Sequence, residues 1–325
     1  MYCNMKTLFE LYSIHSMSGQ EKRLKRYVRH WVRCNVNDAV CKTDYFGNLY
    51  VQRGRAESYP CVVAHLDQVQ RNHSRDFQPI YDAKNDIIYG FSKKCRAFQG
   101  LGADDKNGIW VALQALQCFQ VCKVALFCSE ETGCQGSSHA KLDFFSDCRF
   151  VLQVDRKNGG DLITTIYDCM ASEAFLKATN FEQFGYKEAE GFMTDVAMLR
   201  ERGVKCCCVN ISCGYYQPHT DHEFTIWSEL LNCRDFVFHI IEHCTETYLF
   251  EPPVCLEPDA IDDYQGAMYD GLYDTLYDIM TSCPDFTFED LRSYFQLNHP
   301  TISGDTLRTY YDLVNADIAY WKKNA

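Results

Sequence analysis

Several side chains able to bind metal or move protons stand where short apolar runs end. They are His65 and Asp67 after Cys61-Val62-Val63-Ala64, Asp104 ahead of a helical pattern, Glu130 and Glu131 after Val124 to Cys128, and Asp155 after Phe150 to Val154. His219 follows a further strand-like run, Val204 to Ile211. Taken singly, each has an ordinary explanation: Asp104 suits a helix N-cap, and Glu130 suits the solvated end of a strand. Their recurrence at strand ends points elsewhere, because open α/β sheets gather their sites at the carboxyl ends of strands. One imidazole and one terminal carboxylate per ion, with a further carboxylate shared, would hold two divalent cations. Nitrogen and oxygen donors in open geometry suit zinc.

The elements that must position these residues are legible as periodicity. Thr7 to Ile14 and Glu21 to Asn35 carry helical spacing, separated by Ser18-Gly19, with Ser18 and Glu21 in capping-box register. A hairpin signal at Phe46-Gly47-Asn48 precedes Leu49-Tyr50-Val51, and a second hairpin is predicted over Ile80 to Phe91 with Asp82 to Asp86 at its tip. Gly100-Leu101-Gly102 leads into a helix over about Asp105 to Phe119. Beyond Asp155 the spacing predicts a strand over Leu162 to Tyr167, a helix over Asp195 to Arg202, the cysteine-rich strand and a helix over Ser228 to Cys244. Alternating strands and helices predict an α/β domain. Its boundary is expected after residue 248, with Glu251-Pro252-Pro253 and Glu257-Pro258 as linker. Residues 249–325 are expected to form an acidic, mainly helical appendage. There Tyr269-Asp270, Tyr273-Asp274 and Tyr277-Asp278 recur at helical spacing, and further helices are predicted over Asp285 to Leu297 and Thr306 to Tyr320.

In chain order the motifs are His65-Leu66-Asp67, Gly102-Ala103-Asp104-Asp105-Lys106-Asn107-Gly108, Glu130-Glu131-Thr132-Gly133, Asp155 and His219 to Glu223. Together they resemble the superfamily of co-catalytic zinc exopeptidases that contains peptidase T, glutamyl aminopeptidase, bacterial leucyl aminopeptidase and the carboxypeptidase G relatives. The resemblance runs from the first helix to about Cys244. It implies a three-layer α/β/α catalytic domain with a mixed sheet, and two zinc ions, with cobalt or manganese as substitutes. On this resemblance His65 and Asp155 bind one ion, Glu131 and His219 bind the other, and Asp104 bridges them. Asp67 orients the His65 imidazole, and Glu130 is the general base. His219 is preferred to His222 because it stands four residues before Glu223. Asp105 and Lys106 match the motif without being expected ligands. Thr194-Asp195 matches a family segment whose role is mostly architectural.

Relatives insert a lid or dimerisation domain either after the position of Asp155 or between H-x-D and the bridging aspartate. Here His65 to Asp104 spans 39 positions and Asp155 to His219 spans 64, too few for an added domain. The expected function is therefore an exopeptidase, an aminopeptidase on short peptides, with no lid of the usual kind. The alternatives are a deacylase acting on a non-peptide amide and a non-catalytic metal-binding interaction protein.

Composition narrows the partners. The chain has 325 residues and a net charge of −12, and from Glu246 onward 4 Lys and Arg face 15 Asp and Glu, a balance of −11. Neither part offers the basic surface that nucleic acid or an anionic membrane needs, even though the tail's helices imitate a helix-turn-helix. The acidic tail is the expected place for a protein partner or for self-association. The 19 cysteines have irregular spacing and no C-x-x-C pair, which predicts reduced core thiols. No apolar run approaches the roughly 20 residues of a membrane span, and Met1 to Glu10 lacks a secretory pattern. A soluble, cytoplasmic protein is expected.

Overall fold

The computed structural model describes residues 5–250 and 287–298, with isolated positions between 272 and 318. The chain divides into two compact units, Met1–Pro252 and Pro253–Ala325.

The first unit runs α1 (Met5–Tyr12), α2 (Lys22–Asn35), β1 (Ala39–Thr43), β2 (Leu49–Arg53), β3 (Tyr59–His65), β4 (Phe77–Asp82), β5 (Ile87–Ser92) and β6 (Ala97–Phe98). It continues with α3 (Ala103–Cys118), β7 (Cys122–Phe127), α4 (Gln135–Ser138), β8 (Cys148–Arg156), β9 (Asp161–Ile166), β10 (Asp168–Cys169), α5 (Glu173–Thr179) and β11 (Lys187–Glu190). It closes with α6 (Asp195–Glu201), β12 (Cys207–Ser212), β13 (Tyr215–Tyr216), β14 (Phe224–Ile226) and α7 (Trp227–His243).

Nine strands form a mixed sheet in the order β1-β2-β7-β3-β8-β12-β9-β10, with β11 beside β9. Its centre, β7-β3-β8-β12, is parallel. Every residue of β3, β7 and β12 is buried, because helices cover both faces of a parallel sheet; hence their near-continuous apolar runs. On one face Leu8, Leu24, Trp110, Phe175 and Phe236 bring α1, α2, α3, α5 and α7 into one core. On the other, Val63 and Phe127 of the sheet pack on Val196 and Leu199 of α6 and on Phe145. This is the α/β/α sandwich that the resemblance implied. Burying a side chain such as Trp110 or Phe150 contributes about 1.5–3 kcal/mol before entropy. The start of β12 shows the alternation directly: Cys207 enters the first core, while Cys208 and the preceding Cys206 enter the second. All described cysteines are free thiols.

A second, antiparallel sheet runs β13-β14-β5-β4, with β6 also paired to β5. The predicted hairpin is the β4–β5 pair, extended to Phe77↔Ser92. Its pairing to β14, with Phe224 opposite Tyr89, lies outside what spacing predicts, since β13 and β14 are too short for a periodic signal. Residues 66–103 thus contribute β4, β5 and β6 to this sheet. In the first unit the helical boundaries shift by one or two residues from expectation. The capping box does not form: the Ser18 hydroxyl donates to Asp67 (2.7 Å), and Glu21 accepts from the amides of Gly19 and Ser129. Both residues therefore bond to the loops after β3 and β7 instead of capping α2.

Within the second unit, α8 (Phe288–Asn298) is described, and Leu272, Leu276, Met280, Leu291, Phe295, Leu307 and Val314 form a small core of their own. The predicted proline linker and the tyrosine stripe lie outside the described residues. Among the described residues no helix is long and apolar enough to cross a membrane.

Candidate metal centre

The carboxyl ends of the parallel strands converge. His65 ends β3, Asp155 sits near the end of β8, Glu130 and Glu131 follow β7, and Asp104 opens α3. The loop between β13 and β14 brings His219, held at φ 64°. Asp104 lies between two groups: its Oδ1 is 2.9 Å from His65 Nε2, and its Oδ2 is 3.3 Å from His219 Nε2. Asp155 Oδ1 is 3.4 Å from the same nitrogen of His65, and Glu131 Oε2 is 3.1 Å from that of His219. The result is two imidazole–carboxylate pairs joined by one aspartate. His65 is buried, whereas the His219 side chain is 49% exposed, so the centre opens on the His219 side.

The supporting contacts explain why these residues meet. Asp67 lies 3.5 Å from His65 Nδ1. Its oxygens also accept the backbone N–H groups of Glu130 (2.9 Å) and Glu131 (3.2 Å), so it anchors the turn that carries both glutamates. Asp105 accepts from the amides of His65 (3.1 Å) and Gly108 (2.9 Å). Its carboxylate also lies close enough to His65 and Asp155 for the three to share a cation, as His65, Asp104 and Glu131 could on the other side. The Asp104–Asp105 peptide is cis. Glu223, wholly buried, accepts from the amides of Ala103 (3.0 Å) and Asp104 (3.3 Å). Gly102 sits at φ 62°, where a Cβ would press on the Lys106 ammonium at 2.7 Å and the Gln68 amide at 2.8 Å; both the left-handed backbone and that contact favour glycine. Lys106 is buried and donates to Gln68 and to Leu101 O.

Burial alone would raise the Asp104 carboxyl, but hydrogen bonds from His219 and His65 outweigh it and hold it far below the usual range. Burial would lower both histidines, yet the facing carboxylates raise them, His219 to about 11. Asp155 is pushed up to about 8, first by burial and then by Asp104. Glu130 is raised by burial, with the Cys134 thiol 3.5 Å from its Oε1. Glu131 keeps Oε1 buried without a hydrogen-bond donor. Buried carboxylates crowded around two Nε2 atoms, with an oxygen left unbonded, are what a pair of divalent cations would satisfy. The nitrogen and oxygen donor set fits zinc.

Three neighbours of the centre lie in predicted elements, but their partners do not show in local spacing. Gln153 donates to Asp155 (3.0 Å) and accepts from the Val196 amide (2.9 Å), tying β8 to α6. Asp195 is wholly buried, and burial pushes its carboxyl up to about 7 against the pull of His65 and the Ser137 hydroxyl. Tyr12 donates to Asn107 (2.5 Å), which in turn donates to Cys213 O and Thr225, joining α1, α3 and β14. Only contacts across the sheet reveal such partners. His73 and His139 lie apart from the ligand set, and His239 and His243 stack on each other along α7. His222 is exposed and packs on Phe98.

No family model and no curated protein matches the sequence. Solved structures do match the fold. The aminopeptidase PepT from Bacillus cereus superposes with a TM-score of 0.60 at 13% identity, covering 74% of this chain and 98% of that one. A tripeptidase from Staphylococcus aureus gives 0.59 at 14% identity, over 74% and 97%. An aminopeptidase from Desulfurococcus kamchatkensis gives 0.54 at 16% identity, over 73% and 95%. At these identities the likeness is one of fold.

Proposed function

We propose that this chain, which has the fold of the co-catalytic zinc exopeptidases, is a two-metal aminopeptidase acting on short peptides. The observation that carries the reading is the placement of Asp104, one oxygen toward His65 and Asp155 and the other toward His219 and Glu131. In this reading His65 and Asp155 hold one ion, His219 and Glu131 hold the second, and Asp104 spans both. When bound, the ions supply Lewis acidity that makes a water acidic and polarises the scissile carbonyl.

Glu130 accepts the proton of the attacking water and passes it to the leaving amine. Asp67 keeps Glu130 and Glu131 in place through their backbone amides, so that one glutamate serves as ligand while its neighbour handles the proton. The solved structures of similar fold named as aminopeptidase and tripeptidase support short peptides as the substrate class.

Zinc-loaded protein is expected to hold two ions per chain by elemental analysis and to release amino-terminal residues from a peptide library read by mass spectrometry. Silence across the library with both ions bound would sink the peptidase reading, and release of an acyl group from a non-peptide amide would replace it with a deacylase. Glu130→Gln should lower kcat by about 10²–10⁴-fold while zinc content stays the same.

A further inference from the structure

The second sheet has an aromatic outer face. Register places Tyr216 opposite Phe224, Phe224 opposite Tyr89, and Tyr89 opposite Ile80, so these side chains share one face. Phe91 lies on the same face and pairs with Phe98 of β6. The rings form a strip of two groups that the Phe224↔Tyr89 pairing sets side by side. Tyr216 stacks on Phe224 with centroids 5.2 Å apart, and Phe98 meets Tyr89 at 5.5 Å, Phe91 at 5.6 Å and His222 at 5.5 Å. The inner face of the sheet, with Tyr215, Thr225, Ile88 and Phe77, is buried. The outer rings are only partly covered, and Phe98 is 45% exposed. Apolar rings gathered on an exposed sheet face are a candidate binding surface.

Its connections say where. The loop joining β13 to β14 carries His219, and β6 leads through Gly100 and Gly102 into Asp104. The two segments are pressed together, for a Cβ on Gly100 would stand 2.6 Å from Thr220 O. Asp221, in the same loop, accepts from Asn72 at 2.8 Å. Phe98 and His222 therefore lie beside the loop that carries His219, and the strip extends away from that loop.

We propose that this strip, with Phe98 and His222 at its end nearest the His219 loop, is the wall that receives the side chain of the substrate's amino-terminal residue, selecting peptides that begin with a bulky apolar or aromatic residue. The ligand's identity as a peptide rests on the aminopeptidase reading. Aromatic faces and edges give apolar side chains contact area without any charged partner, and Phe98 offers the largest free ring. Because Phe98 lies on a two-residue strand outside the buried inner face, replacing it leaves the core of the sheet intact.

The test compares kcat/KM for peptides beginning with Phe or Leu against peptides beginning with Gly, in the zinc-loaded wild type and in Phe98→Ala and Phe98→Trp. The wild type should favour the bulky residue by at least about tenfold, Phe98→Ala should reduce that ratio by about tenfold, and Phe98→Trp should largely keep it. Calorimetry with a Phe-Ala dipeptide whose amide is reduced to a methyleneamine gives a second readout, expected to weaken by a similar factor in Phe98→Ala. An unaltered ratio in Phe98→Ala, or a wild type without preference, overturns the proposal. So does a Phe98→Ala change confined to the sedimentation coefficient, which would make the strip a contact between copies of this chain. Hydrolysis without discrimination would remove the wall and leave the peptidase. Phe98-dependent binding without hydrolysis would keep the wall and remove the peptidase.

Discussion

At Asp67, one carboxylate meets the His65 imidazole, the amides of Glu130 and Glu131, and the Ser18 hydroxyl. Partners of this kind fix the ligands around them, and their loss typically costs about 10–100-fold in metal affinity. Asp67→Ala is expected to weaken zinc binding by that factor in competition with a chromogenic chelator; unchanged affinity would mean that the turn after β7 holds itself. Glu223 acts similarly on Asp104. Glu223→Ala strands two buried amide donors, and at about 1–3 kcal/mol for each unsatisfied group it should lower the urea midpoint clearly. The spacing His219-x-x-x-Glu223 is visible in the sequence, but the use of Glu223 as an acceptor for the Ala103 and Asp104 amides is not. Those partners lie about 120 positions away in the chain.

At the scale of elements, α3 must lie against β8 for Asp104 and Asp155 to meet. Gly108 permits that approach: a Cβ there would stand 2.3 Å from Val154 O and 2.4 Å from an Asp105 oxygen. Gly108→Ala should therefore destabilise the protein by roughly 1–3 kcal/mol by denaturant titration, despite alanine's better helix propensity. The segment after α1 carries a pH response. His73 stacks on His15 with centroids 5.0 Å apart, and burial, then that neighbouring histidine, pushes its pKa down to about 4. The unfolded chain, with a histidine pKa of about 6.5, binds the proton first. Its contribution to stability is present above pH 6.5 and is lost as pH falls toward 4. Replacing His73 with Asn should flatten the fall in urea midpoint between pH 7 and 5, and an equally steep fall would refute this account. Helices and central strands were legible because each buries one stripe or both faces. The second sheet was only half legible: β4 and β5 alternate over six residues each, while β13 and β14 span two and three.

For the whole molecule, the ligand candidates all lie within Met1–Pro252, and the second unit has its own small core. Residues 1–252 produced alone are accordingly expected to bind the same two ions per chain by elemental analysis; loss of metal binding in a folded fragment would assign the acidic unit a share in the centre. Ions that bind only the folded state stabilise it by mass action, by about 2.7 kcal/mol at one hundred times the dissociation constant. Zinc should therefore raise the melting temperature and a chelator should lower it, whereas a chelator-insensitive transition would count against a resident metal.

The sequence by itself determined the α/β layering, because burial on one or both faces writes a period into the chain. It also determined which donor residues stand at strand ends. Tertiary structure alone decided how these donors pair, with Asp104 between His65 and His219 and Asp105 turned to the backbone. It likewise decided that Ser18 and Glu21 bond to the loops that carry the ligand candidates, and that one face of the second sheet carries an aromatic strip reaching His222. Each of these depends on which distant segments lie side by side, and local spacing carries no record of that.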